Sequence, residues 1–157
     1  MATATLNTLD TSNNAALKDE ADILAFVEAM LRASHNKNAA VFAAMFTPDA
    51  AVFNFAPPSA HSGIHIEEKQ AWYDGWSMAV DLDAGDFKIS VRGDLAFCHG
   101  YLRMTGTKNG ANYGVDFWMR ETLCLERQGR VWKIFHEHTS VPFYMDGTLG
   151  SGSDLQK

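Results

Sequence analysis

The chain has 157 residues, 46% hydrophobic and 20% charged, which is enough apolar material for one globular domain with a real core. A formal net charge of −6 without any basic run excludes the electrostatic footprint of a nucleic-acid binder. No stretch is long and apolar enough to span a bilayer, and the start has neither a basic n-region nor an apolar h-region, so the chain is read as cytoplasmic, with no membrane partner.

Residues 1–16 are rich in Ala, Thr and Asn and read as a disordered tail. Helical spacing then begins, with Leu17, Ala21, Leu24, Val27 and Leu31 recurring at steps of three and four. Asp19, Glu20 and Asp22 at its start and Arg32 and His35 near its end suit the helix dipole. A shorter helix is predicted over 38–46, stopped by Thr47-Pro48-Asp49, and a short strand over 51–55, ended by Pro57-Pro58. Residues 59–63 read as a loop. A third helix is predicted over 66–76, with Trp72 and Trp76 on one face.

Beyond Asp81 the period changes to that of strands, predicted over 86–92, 95–107, 112–127 and 131–141. Their connections, Gly93-Asp94, Lys108-Asn109-Gly110 and Gln128-Gly129-Arg130, carry hairpin residues, so the four strands are expected to be antiparallel neighbours. Helices followed by a meander make an α+β domain over 17–145. The Gly/Ser-rich segment 146–157 reads as a flexible tail. Cys98 and Cys124 lie in apolar strand-like runs and read as buried thiols.

Polar residues set among apolar strand neighbours are the candidates for chemistry: His99, Arg120, His136, Glu137 and His138. Arg120 suits a carboxylate or enolate oxygen, the histidines proton transfer near neutral pH, and Glu137 the role of a carboxylate base. Asn54, His61, Trp72, Tyr101 and Trp118 are candidates for ligand binding. The plainer reading makes one histidine a hydrogen-bonded core group and another part of a dimer interface, and makes the aromatics core packing. The pattern of the last strand leaves two orientations open. Trp132 and Ile134 in the core carry His136 and His138 inward if the strand is regular, whereas a β-bulge after Ile134 turns Glu137 and Thr139 inward instead. Three imidazoles, from His99, His136 and His138, would make a metal site. The isolated His-x-His is a weak motif, and neither metal nor cofactor is expected.

The run Trp118-Met119-Arg120-Glu121-Thr122, the turn at Gln128-Gly129 and the run from Trp132 to Pro142 resemble the C-terminal end of SnoaL-like proteins of the NTF2-like group, which includes ketosteroid isomerases and polyketide cyclases. Met45-Phe46-Thr47-Pro48-Asp49-Ala50-Ala51-Val52 resembles that family's first helix-to-strand junction. The resemblance implies a cone, with three N-terminal helices packed on a curved antiparallel sheet around a small-molecule pocket. It further implies either a cofactor-independent isomerase, cyclase or dehydratase acting on a small anionic or carbonyl-containing molecule, or a non-catalytic ligand-binding or association domain. The aspartate base of ketosteroid isomerases falls at Asn54 and their oxyanion-donating tyrosine at Met30, so steroid isomerisation by that mechanism is not expected. Apolar residues in both registers of the late strands point to a homodimer through the outer sheet face.

Overall fold

A computed structural model describes the backbone of residues 6–154 and the side chains of residues 16–154. Helix α1 (Leu6–His35) is followed by α2 (Ala39–Ala43), β1 (Phe46–Phe53), β2 (Ala60–Ser62), α3 (Ile66–Asp74), β3 (Asp81–Arg92), β4 (Leu95–Thr107), β5 (Gly114–Gln128) and β6 (Val131–Ser140). The fold is α+β, and its strands form one curved, unclosed six-stranded sheet of order β2-β1-β6-β5-β4-β3. The four late strands pair antiparallel throughout, as their hairpin connections require.

Several boundaries differ from the sequence pattern, each for a local reason. Helix α1 begins at Leu6, inside the segment whose composition suggests a loose tail, because scattered polar residues do not prevent helix when Leu and Ala lie among them. The part of that expected tail over residues 1–5 lies outside the described residues. Helix α2 ends early, and Pro48 sits inside β1, where the register with β6 shifts between Phe46 and Ala51; such an irregularity needs no ladder donor from proline. The expected loop 59–63 contains β2, paired antiparallel to β1. Gly63 closes that excursion at φ 65°, where a Cβ would lie 2.4 Å from the Pro48 carbonyl oxygen, so only glycine fits. Strand β3 starts earlier than its hydrophobic period because of an irregularity between Gly85 and Lys88, with Asp86 at φ 53°.

The C-terminal segment folds back on itself. Gly152 N–H donates to the Pro142 carbonyl at 2.7 Å, Tyr144 N–H donates to the Gly150 carbonyl at 2.9 Å, and the Tyr144 hydroxyl donates to the Asp154 carboxylate. Asp146 organises the turn by accepting from Thr148 N–H at 2.9 Å. These bonds, which composition does not reveal, give order through Asp154; residues 155–157 lie outside the described part.

Helix α1 buries Ile23, Val27, Met30 and Ala33 against Ala96, Cys98, Leu123, Leu125, Trp132 and Ile134 of the sheet. Each large aliphatic side chain so covered contributes about 1.5–3 kcal/mol relative to exposure. A second apolar cluster, Trp76, Val80, Leu102, Met104 and Met119, lies further along the same sheet face. A cavity of about 280 Å³ is lined by residues of both clusters, including Met30, Phe42, Leu102 and Met119. Among the described residues no helix is long and apolar enough to cross a membrane.

Candidate active site

Which residues reach the cavity is decided by one extra residue in β6. Leu125 pairs with Ile134 and Cys124 with His136, so Phe135 has no partner of its own on β5. Trp132 and Ile134 are buried, and beyond the bulge the buried residues become Glu137 and Thr139. Of the two orientations open to the sequence, the bulged one is present. His136 and His138 consequently lie on the opposite face of the sheet, which corrects the regular-strand expectation that they point inward.

Strand β5 supplies a second carboxyl. Its inward register runs Met119, Glu121, Leu123, Leu125, all at most 4% exposed, with Glu121 the sole polar member. Glu121 is 1% exposed, and neither carboxyl oxygen has a hydrogen-bond partner. Helix α3 supplies a cation. Lys69, Trp72 and Tyr73 recur at helical spacing on one face of α3, which ends at Asp74, so that Trp76 lies beyond the helix expected over 66–76; the Lys69 ammonium lies 4.3 Å from the ring centre of Phe42, 4.7 Å from that of Trp72 and 5.0 Å from that of Tyr73. Lys69 is half-buried as a residue, with its head beside these three rings. None of the described ion pairs involves Lys69, Glu121 or Glu137. On α1, Ser34 lines the same cavity and its hydroxyl lies 3.0 Å from that of buried Tyr73.

Burial governs the protonation of this group. It pushes the Glu121 carboxyl well above the ordinary carboxylate range; the charge of Glu137 adds to the rise and Lys69 opposes it. Glu137 is likewise raised by burial and is partly held down by Lys69. Burial lowers Lys69, against the pull of Glu137 and Glu121. Tyr73 is pushed up to about 12, first by burial, so its phenol stays protonated and able to donate. Two carboxyls sharing one apolar enclosure cannot both ionise readily, so the pair holds a proton more tightly than an isolated exposed carboxyl would.

The more exposed part of the cavity lining comes from Asn54 to Pro58, His61, His65, Glu68 and Trp72. The His61 imidazole is fixed through Nδ1, 2.7 Å from the Gly63 carbonyl oxygen. Thr139 ties the 54–58 loop to β6, accepting from Phe55 N–H at 3.2 Å. Met30 and Asn54 both line this cavity.

Of the sequence-derived candidates, Glu137, Asn54, His61 and Trp72 therefore meet in one cavity. His99, Tyr101, Trp118, Arg120, His136 and His138 do not line it. They occupy the outer sheet face, where Tyr101 stands beside Arg120 and His99 beside Thr122 and then His138. There His136 Nδ1 lies 2.8 Å from the Ala51 carbonyl oxygen, and the Phe53 ring meets those of His136 and His138 edge-on at 5.2 and 5.8 Å between centres. Among the described residues no group of three or more His, Cys, Asp or Glu is arranged to hold a metal ion. The sequence reading misses Lys69, Glu121 and Ser34. Two had a signal: Glu121 is a lone carboxylate in the apolar register of β5, and Lys69 precedes Trp72 and Tyr73 at helical spacing.

Comparison with known proteins adds the lineage. A family model described as a SnoaL-like domain matches residues 23–144. No curated protein matches the chain. Among solved structures, an NTF2-like protein of unknown function from Pseudomonas putida is 22% identical, with a TM-score of 0.78 over 90% of this chain and 99% of its own. A candidate scytalone dehydratase from Novosphingobium aromaticivorans is 14% identical, with a TM-score of 0.69 over 82% of this chain and 86% of its own. A candidate calcium/calmodulin-dependent protein kinase II association domain from Xanthomonas campestris is 18% identical, with a TM-score of 0.62 over 75% of this chain and 84% of its own. At these identities the likeness speaks for the fold alone.

Proposed function

This chain belongs to the SnoaL-like family, and from that premise we propose that its helices and sheet form a cone whose cavity binds a small, largely apolar molecule bearing a carbonyl or hydroxyl group and moves a proton on it without a cofactor. The observation that carries the reading is the placement of Glu137, Glu121 and Lys69 in one enclosure otherwise lined by Met, Phe, Leu and Trp. Glu137 is the base: its carboxyl sits where water is scarce, and its raised affinity for protons brings it nearer the operating range of a general base. Glu121, whose carboxyl burial raises well above the ordinary carboxylate range, is the acid that returns one. Lys69 stabilises the negative charge that develops on an enolate or leaving oxygen, in a medium where such attraction is strong. Isomerisation and dehydration both need this set of parts, and dehydratase names recur among the structural neighbours.

The test uses 5-nitrobenzisoxazole, an apolar molecule that opens when one C–H proton is removed. The expected result is saturable turnover with a rate that rises with pH as Glu137 ionises, and that is lost in Glu137→Gln. Equal rates for the protein and that variant, with both folded, would sink the reading.

A second reading concerns the other sheet face. Phe53, Phe97, Tyr101 and Phe135 are each at least 36% exposed, and association domains share this fold. Two copies of the chain meeting through that face would cover these rings by a two-fold contact. Light scattering checks it: a dimer is expected at micromolar concentration, and a mass that stays near 17.3 kDa on tenfold concentration rejects it.

A further inference from the structure

We propose that Lys69 is a nucleophile as well as a charge, and that it captures a small apolar aldehyde inside the cavity as an imine. The proposal rests on the reading of the cavity as a ligand site and extends it to a substrate class and a covalent step. Its geometric basis is the setting of the amine. Lys69 lines the cavity, its head lies 4.3–5.0 Å from the centres of three aromatic rings, and among the described residues no carboxylate forms an ion pair with it. Lys18, Lys88 and Lys108 are exposed and have no such enclosure. Removing water from an ammonium favours its neutral, nucleophilic form, and burial lowers the basicity of Lys69.

The two glutamates balance the step. The Glu137 carboxylate takes a proton from the Lys69 ammonium. The freed nitrogen lone pair attacks the aldehyde carbon, and the carbonyl π pair moves to oxygen, which takes the Glu121 proton. The nitrogen then returns a proton to Glu121, giving a neutral carbinolamine. Glu137 protonates the carbinolamine hydroxyl, which departs as water while the nitrogen pair forms the C=N bond. The result is a protonated imine facing an ionised Glu137, with Glu121 protonated again and no net uptake of protons. Glu121 has both oxygens without a protein partner, as a group held for exchange with a ligand would.

The experiment treats the full chain with benzaldehyde at neutral pH, reduces any imine with borohydride, and maps the modified peptides by mass spectrometry. Borohydride delivers hydride to the imine carbon and fixes a benzyl group on nitrogen. The expected result is a benzyl group on Lys69, with Lys18, Lys88 and Lys108 essentially unmodified. Label at Lys69 is expected to be lost in Lys69→Arg, whose circular dichroism reports whether it is folded. Labelling of the exposed lysines at or above the level of Lys69, or an unmodified Lys69 at saturating benzaldehyde, overturns the proposal. The base reading is separable: turnover of 5-nitrobenzisoxazole through Glu137 with no label at Lys69 defeats the imine alone. Label at Lys69 without such turnover supports the imine and defeats the base.

Discussion

The two faces of the sheet are one residue apart along every strand, yet they have opposite chemistry. Arg120 and Glu121 are adjacent in sequence, as are His136, Glu137 and His138. The inward members are buried carboxyls in an apolar enclosure, and the outward members are exposed or half-exposed and hydrated. Residue type alone favours the histidines and the arginine for catalysis, because they titrate or bind anions in water. Position reverses this. A carboxyl in a dry cavity has its proton affinity shifted into a useful range, whereas an exposed histidine on an open sheet face has no enclosure in which to hold a substrate.

The sharpest way to break this contrast is to insert one alanine between Cys124 and Leu125, which gives Phe135 a partner on β5. A continuous register would then carry His136 and Arg120 inward and Glu137 and Glu121 outward. A loss of about 4 kcal/mol or more is expected, since charged groups would enter the core and apolar ones leave it. Urea unfolding measures it, and an insertion variant of unchanged midpoint would show that the bulge does not set the faces.

Next in size is a paired substitution across the sheet. Glu137→Gln is expected to lower turnover of 5-nitrobenzisoxazole about 100-fold or more, the usual range for a positioned acid or base, while His138→Gln stays within about twofold. Similar losses in both would mean that the outer face takes part in the chemistry.

Stability gives a third comparison. Raised carboxyls make the folded state prefer the protonated form, so their contribution is fully present below the ordinary value of 4.5 and is lost as pH rises through the folded value. Glu121→Leu removes one such group and its two unpartnered oxygens. The variant should be more stable than the parent at pH 7, by about 1–3 kcal/mol. The gap should narrow as pH falls through 4.5, below which the parent carboxyl is neutral in both states. A parent that is stabler at pH 7 would show that Glu121 is paired in solution.

The smallest effect belongs to the outer face. Phe97→Glu should change monomer stability by no more than about 0.5 kcal/mol, as exposed substitutions do. It should nevertheless shift the light-scattering mass toward that of one chain. No shift would remove Phe97 from any contact between copies.

These contrasts also show what the sequence discloses. Hairpin glycines and alternating patterns make the meander and its pairing legible, and the family resemblance accounts for the fold. The bulge was visible only as an alternative, since nothing in Ile134-Phe135-His136 states which residue is surplus; pairing across the sheet decides it. Glu121 and Lys69 are hard to see because a charged residue in an apolar register reads as a break in the pattern, although here the break lines the cavity. The order of residues 146–154 depends on Asp146 and Tyr144 bonding back to the chain, and composition carries no trace of such closure.

The position of β6 has a consequence for how the molecule is made. It is the last strand in sequence but lies between β1 and β5, parallel to the first and antiparallel to the second. Until it arrives, the sheet exists as two unconnected pieces, β2-β1 and β5-β4-β3, each with an open edge next to apolar residues. A chain still emerging from the ribosome therefore lacks one wall of the cavity and one of its two buried carboxyls. Closure must wait for contacts some 85 residues apart in sequence, such as that between His136 and Ala51, and pairings of that reach are slow to form. Loss of only the final two dozen residues would leave the earlier pieces with nothing to join them, exposing strand edges of the kind that seed aggregation.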